Sequence, residues 1–472
     1  MRRRSLLVGP AALAAAGAAP RNVTAAVPAA AGAISAPDAY PSIDLRRFGA
    51  DPSGAAPSDA ALTSALAACG DNGATIRIPA GHYTFAHPIN LASRRSIILE
   101  GEGATTGGAQ AATRLTFTGA GSGTFINLNS ARGCLLSRLQ IAHGDPRFTG
   151  TYVSCVNDSG TDPAFCALLD CVVGSSAGAG TTHLNLDKCI QFTAERCNFL
   201  YGNPSVRGRL PGSYANVIRF RDCHWSVNHT APVQGGGEAW TFDGCTFEGL
   251  RSGAAGGLYC SGPETAFNGL TVTGCWFGDA TAGGAWLDMC ANGALISGNF
   301  ISGNKSAVTA LALRKSVGVQ ICGNLFAVLA AAIDFVQPCQ DIVVQGNICN
   351  TVGTGLRNAD NVPTGSLVWA PNYGLGAPGN NHQRLGASGY AADAAAGVLR
   401  QWGTATVGRG GGTRVISFPI KFPTQCLNVV ATLSGAGSVG SVAVSSLTAA
   451  SFEASVQGAA ADSVLYWQAL GS

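Results

Sequence analysis

One short pattern returns along the middle of the chain: an apolar residue, two turn-forming residues, Cys or Asn, any residue, and then an aromatic or aliphatic one. It reads Phe220-Arg-Asp-Cys223-His-Trp225, Phe242-Asp-Gly-Cys245-Thr-Phe247, Val272-Thr-Gly-Cys275-Trp-Phe277, Ile296-Ser-Gly-Asn299-Phe-Ile301, Ile321-Cys-Gly-Asn324-Leu-Phe326 and Val344-Gln-Gly-Asn347-Ile-Cys349. From Cys197 the steps are 26, 22, 30, 24, 25 and 23 residues, and Cys171 adds one more of 26 upstream. A repeat of this length predicts a solenoid.

Within each unit the apolar residues alternate over about five positions before Gly and Asn break the run, and no ten-residue helical stretch intervenes. Short strands and turns in a coil of roughly 25 residues predict a single-stranded right-handed parallel β-helix. Successive coils rise about 4.8 Å. Stacking then puts the Cys/Asn column inside the turns. Asn there bonds its neighbours' amides and turn backbone, and Cys fills the same slot as a small buried residue. This column is structural and carries no chemistry.

Composition agrees. The 472 residues are 46% hydrophobic and 12% charged, include 64 Gly, and carry a net charge of +3. Such a chain has a large core and many turns but no basic field for nucleic acid.

The start, Met1-Arg-Arg-Arg4-Ser-Leu-Leu7 followed by an Ala-rich stretch, predicts a bacterial export signal, and Arg3 to Leu7 resembles the twin-arginine motif. The stretch is too short for a membrane span. The expected location is periplasmic or extracellular, with a phage virion as the alternative. Sixteen cysteines without a CxxC pair predict mostly free thiols in the core column rather than disulfides or a zinc site. His143, His183, His224 and His229 lack metal-binding spacing, and no metal site is expected.

Ile43 to Gly54 reads as a strand and a turn, Ser58-Asp59 as the start of a helix to about Ala68 that Ser58 or Asp59 caps, and Gly73 to Tyr83 as a strand ended by Pro79-Ala-Gly81. The helix covers the open end of the core. Phe48, Gly49, Ala50, Asp59, Pro79, Gly81 and Tyr83 resemble the start of the pectate-lyase-like superfamily, which includes polygalacturonases, rhamnogalacturonase-like epimerase or lyase domains and phage tailspikes. The usual Gly-Asp-Gly turn is replaced by Asp51-Pro-Ser-Gly54. The resemblance implies a polysaccharide as partner and glycosidic cleavage as the reaction, with Ca²⁺ as cofactor only if the chain is a lyase. The polygalacturonase signatures are missing, and His143-Gly-Asp145 is an isolated fragment.

Beyond Asn347 the repeat is read as ending. Gln401-Trp402-Gly403, Phe418-Pro-Ile-Lys-Phe422-Pro423, Ser451-Phe452 and Tyr466-Trp467 resemble a C-terminal domain of phage tail fibres, which implies a homotrimer or a surface-binding tip. The expected domains are 1–36 (export signal and Ala/Pro-rich linker), 37–375 (β-helix), 376–396 (linker) and 397–472 (small antiparallel β domain).

Candidate chemistry falls on a second strand 10 to 13 residues before each Cys or Asn. Asp187, Asp288 and Asp334, with Glu238 near them, are the candidate catalytic carboxylates; Asn185, Arg314, Lys315 and Trp286 are the candidate substrate contacts. The expected function is binding, and by the superfamily resemblance cleaving, an extracellular or cell-surface polysaccharide. The alternatives are a non-catalytic receptor-binding protein of phage type and a purely structural surface protein.

Overall fold

A computed structural model describes residues 42–472 except 71–72, 105–111, 120, 158–163, 175–180, 203, 209–214, 227–231, 250–255, 261–265, 281–283, 304–306, 364, 370, 376–382, 385–386, 394–397, 435–439 and 460–461. The export-signal reading lies outside the described residues.

Each coil's strand pairs in parallel with the strand of the next coil. A 14-stranded sheet runs from Ser42–Asp44 through Ala74–Arg77 and onward to Leu367–Trp369. A second, 20-stranded sheet forms the other walls, and the 11-residue strand Leu325–Phe335 joins two of its ladders by pairing with both Phe300–Ser302 and Val308–Leu313. The chain is thus the expected right-handed parallel β-helix, with the repeat's apolar residues as rungs. Phe220, Phe242, Val272, Ile296, Ile321 and Val344 lie in one register inside it, all fully buried.

The Cys/Asn column has a single geometry. The Sγ of Cys197 donates to the carbonyl of Leu168 at 3.5 Å, that of Cys223 to Ala194 at 3.4 Å and that of Cys245 to Phe220 at 3.5 Å. The Nδ2 of Asn299 donates to Val272 at 2.9 Å and that of Asn324 to Ile296 at 3.0 Å. Each side chain therefore reaches the carbonyl one coil back, and only Asn adds a bond to the next coil. Asn324 Oδ1 accepts both the backbone N–H and the amide of Asn299, at 3.1 and 2.9 Å.

The column also continues past Asn347. Asn372 Oδ1 accepts the backbone N–H and the amide of Asn347, both at 2.9 Å, and Leu367–Trp369 extends the sheet. The repeat, read from the sequence as ending at Asn347, thus has one more rung. A tripeptide Pro371-Asn372-Tyr373 in place of Gly-Asn-apolar hid it.

The residue before each column position turns through a left-handed backbone: Asp170, Arg196 and Asp222 near φ +50°, then Gly244, Gly274, Gly298, Gly323 and Gly346 near +60°. Glycine suits that conformation. Where it is missing, Arg196 and Asp170 pair across coils at 2.6 Å. The pair offsets part of the backbone cost.

Rings stack along the core at the coil spacing. Trp225, Phe247 and Phe277 stack 4.5 and 4.7 Å apart with their rings nearly parallel. His143 and His183 belong to this interior: His143 stacks on Phe148 at 4.1 Å, and His183 bonds Ser205 Oγ at 2.8 Å. Burial pushes the His183 imidazole down to about 3.

The helix Asp59–Ala68 buries Ala61, Leu62, Ala65 and Leu66 at the first coils. Ser58 holds the N-cap position, yet its hydroxyl makes no capping bond; it accepts the N–H of Asp51 at 3.3 Å. Asp59 does not cap either. Its carboxylate accepts the N–H groups of Ala86 and His87 at 3.0 and 2.7 Å, tying the helix start to the following strand.

The antiparallel region has a five-stranded sheet from Gln383–Arg384 to Ser463–Gly471 and Cys426–Ser434, and a three-stranded sheet of Gly411–Ser417, Ser451–Gln457 and Ser441–Ser445. Its first strands precede residue 397, since Gly389–Asp393 pairs with Val398–Val407. Phe418, Phe422, Phe452 and Trp467 fill its core. Both sequence motifs have a physical reason. The buried Gln401 amide donates to the Ile420 carbonyl at 2.8 Å and accepts the Ile420 N–H at 3.0 Å, clasping the Phe-Pro turn. A Cβ at Gly403 would meet the Trp467 ring at 2.5 Å.

Candidate functional site

Along the second sheet one register position is polar in every coil but one, where it is Ala312. Asn90, Asn127, Ser154, Asn185, Arg207, Gln234, Tyr259, Asp288, Ala312, Asp334 and Arg357 are successive Cα partners, one per coil. Residues on either side of it are core. In Val308–Leu313, for instance, every residue is buried. The column sets its side chains about 4.8 Å apart along the solenoid axis.

Three of the expected residues, Asn185, Asp288 and Asp334, lie on this ladder. Asp288 and Asp334 are two rungs apart, about 9.6 Å at the backbone. The rung between them is Ala312, whose methyl leaves room. Arg314 fills it: its Nε and Nη2 donate to the two Asp288 oxygens at 2.6 and 3.1 Å. The Asp288 carboxylate raises the Arg314 guanidinium above its ordinary range, and Tyr259 and Asp334 act on it in the same direction. Tyr259, Asp288, Arg314 and Asp334 therefore form one constellation. Asp334 also accepts the Asn358 amide at 2.7 Å.

Other expected residues lie elsewhere. Asp187 is nearly fully buried and paired with Arg207 at 3.1 Å, several coils from Asp288. Glu238 is exposed but pairs with Asn268 in the 14-stranded sheet, a different wall. The two positions share the spacing but not the strand, because a bend separates Val233–Gly235 from Gly237–Glu238. Trp286 is no platform: it is fully buried, packs 5.7 Å from Phe277, and donates its Nε1–H to the Ser302 carbonyl at 2.7 Å. Lys315 is exposed in the left-handed turn after Arg314.

The sequence reading missed Arg207, Gln234, Tyr259 and Arg357. They follow the same ladder, but loops of varying length lie between their strands, so constant spacing does not reveal them. Among the described residues no three His, Cys, Asp or Glu side chains gather as a metal site, and no helix is long and apolar enough to cross a membrane.

Residues 393–472 match the family described as putative tail fiber protein gp53-like, C-terminal, in agreement with the resemblance carried by Gln401-Trp402-Gly403 and the Phe-Pro turn. No curated protein matches the chain. Among solved structures, the Pseudomonas aeruginosa R2 pyocin fibre is 35% identical over 19% of this chain and 25% of its own length, with a TM-score of 0.18. The chain thus spans about a quarter of that fibre. The Pseudomonas phage phi297 tailspike is 11% identical over 91% of this chain and 99% of its own, with a TM-score of 0.43. A tailspike of Acinetobacter baumannii bacteriophage Fri1, called a capsular polysaccharide depolymerase, is 11% identical over 91% and 86%, with a TM-score of 0.41.

Proposed function

We propose that the chain binds a cell-surface polysaccharide along the polar ladder of its solenoid and cleaves it hydrolytically between Asp288 and Asp334. The observation that carries this reading is the pairing of two carboxylates two rungs apart, with only Ala312 between them and Arg314 reaching across.

The spacing favours inversion. Inverting glycosidases separate their carboxyl groups by about 6.5–9.5 Å to admit a water, whereas retaining ones hold them at about 5–5.5 Å. Two rungs, about 9.6 Å at the backbone, lie near the wider range. Asp288, locked to a guanidinium, is the carboxylate that takes a proton from the attacking water. Asp334, on the far side of Ala312, is the group that hands a proton to the leaving oxygen. Tyr259 offers the ring beside the sugar that Trp286 does not. Asn185, Arg207, Gln234 and Arg357 extend the contact surface along the chain of sugars.

Reducing-end release over a panel of purified bacterial surface polysaccharides, read together with the ultraviolet absorbance of unsaturated sugars, tests the reading. New reducing ends without unsaturation support hydrolysis, and unsaturated products replace it by elimination. Binding without any product supports a receptor-binding protein of the tail-fibre type, in which the module at 393–472 makes the surface contact and assembles a homotrimer. That second reading, and a virion rather than an exported location, draw on the family match alone.

A further inference from the structure

The outer face of the five-stranded sheet in the C-terminal region is not covered by its own core. Strand register sets its side chains in rows: Trp402, Gln468 and Val430 in one, Thr404, Tyr466 and Thr432 in the next, Arg400, Leu470 and Asn428 in the third. Tyr466 and Val430 are 50% and 58% exposed. Two open depressions of about 750 and 520 Å³ share Trp402, Val430 and Gln468, so the face is one continuous trough. Three rows two residues apart make it roughly 13 Å long.

Its chemistry is mixed at every row. Trp402 and Tyr466 are diagonal neighbours, some 7–8 Å apart at the backbone, close enough for one ring face to follow the other. Between and beside them stand Gln468, Thr404 and Thr432, whose side chains have no partner among the described residues. Arg400 closes one end, and it too has none.

We propose that this trough is a second carbohydrate site, which takes a short glycan bearing an anionic group. Sugar rings lie on the Trp402 and Tyr466 faces, their hydroxyls bond Gln468, Thr404 and Thr432, and a carboxylate or phosphate substituent meets Arg400. A second copy of the chain is the poorer occupant. Covering this face with protein would strand the Gln468 amide, two hydroxyls and the Arg400 charge unless each found a partner, whereas a glycan carries hydroxyls at every ring. The proposal does not rest on the solenoid reading.

The test uses the full chain carrying Asp288→Asn and Asp334→Asn, so that bound polysaccharide survives, against immobilised bacterial surface polysaccharides sorted into neutral, uronate-bearing and phosphate-bearing members. Tyr466→Ala is expected to weaken binding about tenfold. Arg400→Gln is expected to weaken binding of the uronate or the phosphate class, whichever supplies the anion, and to leave neutral members alone. Retention of no member, or equal retention by both variants, overturns the proposal. So does a sedimentation experiment in which Tyr466→Ala dissociates an oligomer while glycan binding stays the same. Failure of the solenoid reading shows elsewhere, as no product from the unsubstituted chain.

Discussion

Arg314 holds both oxygens of Asp288 from the next coil, at 2.6 and 3.1 Å, in a place where Asp288 is only 9% exposed. Breaking such a pair from one side leaves a carboxylate in the sheet with nothing opposite it. Arg314→Leu is therefore expected to lower stability by about 1–3 kcal/mol, the smaller end reflecting the partial exposure of the guanidinium. Adding Asp288→Leu should restore most of the loss. Urea midpoints of the two variants measure this, and a double variant weaker than the single one would speak against the pairing as a stabilising contact.

The column at the turns makes a different prediction. Because Cys and Asn reach the same carbonyl one coil back, Asn324→Cys should keep that contact and lose only the side-chain bonds to Asn299 and Asn347. Asn324→Leu loses every side-chain bond, the one to the Ile296 carbonyl included, and keeps only the backbone N–H to Asn347 Oδ1 that both variants retain. The expected costs are about 1–3 kcal/mol for Cys and clearly more for Leu. Equal melting temperatures for the two would contradict the shared slot.

All 16 cysteines are free, and 14 of them are buried. Burial raises the Cys349 thiol to about 12 and the Cys290 thiol to about 11, which keeps these two from the thiolate form at neutral pH, and burial closes the other interior thiols to a reagent. A thiol reagent should modify at most Cys322 and Cys426 in the folded chain and all 16 after denaturation. Rapid modification of the column in the native state would refute the packing.

His183 gives a pH signature. Its folded value is about 3 against 6.5 unfolded, so between those limits the unfolded chain binds the extra proton. Its contribution is complete above about pH 6.5 and shrinks as pH falls, by roughly 1.4 kcal/mol per unit, until about pH 3. Replacing His183 by Gln should flatten the acid side of the stability profile by that slope. An unchanged slope would mean that this imidazole titrates normally.

The fold was legible because the turn residues repeat where the chain has no freedom. A left-handed residue followed by a side chain that must reach one carbonyl leaves Gly-Asn, Asp-Cys or Gly-Cys at most coils, with Arg196-Cys197 an exception. The site was legible in part. Asp288 and Asp334 stand out because charge is rare in an otherwise buried strand, and Asn185 shares their ladder. Trp286, on the same strand, misled because alternation alone cannot tell an outward residue from one covered by a neighbouring turn, and its indole is bonded to Ser302. Glu238 misled because a bend between two strands moves a side chain to another wall without altering the count. Tyr259 and Arg357 had no local mark at all; only the register of finished strands brings them beside the carboxylates.

The central claim is that Asp288 and Asp334 act together on a glycosidic bond. The most direct measurement is the rate of reducing-end release by Asp334→Asn and Asp288→Asn, each compared with the unsubstituted chain on the same polysaccharide, with melting temperature recorded in parallel. A fall of at least about 10²-fold for each, measured well below the melting temperature of each variant so that the chain stays folded, is the expected result. Rates within a few-fold of the original for either variant would contradict it.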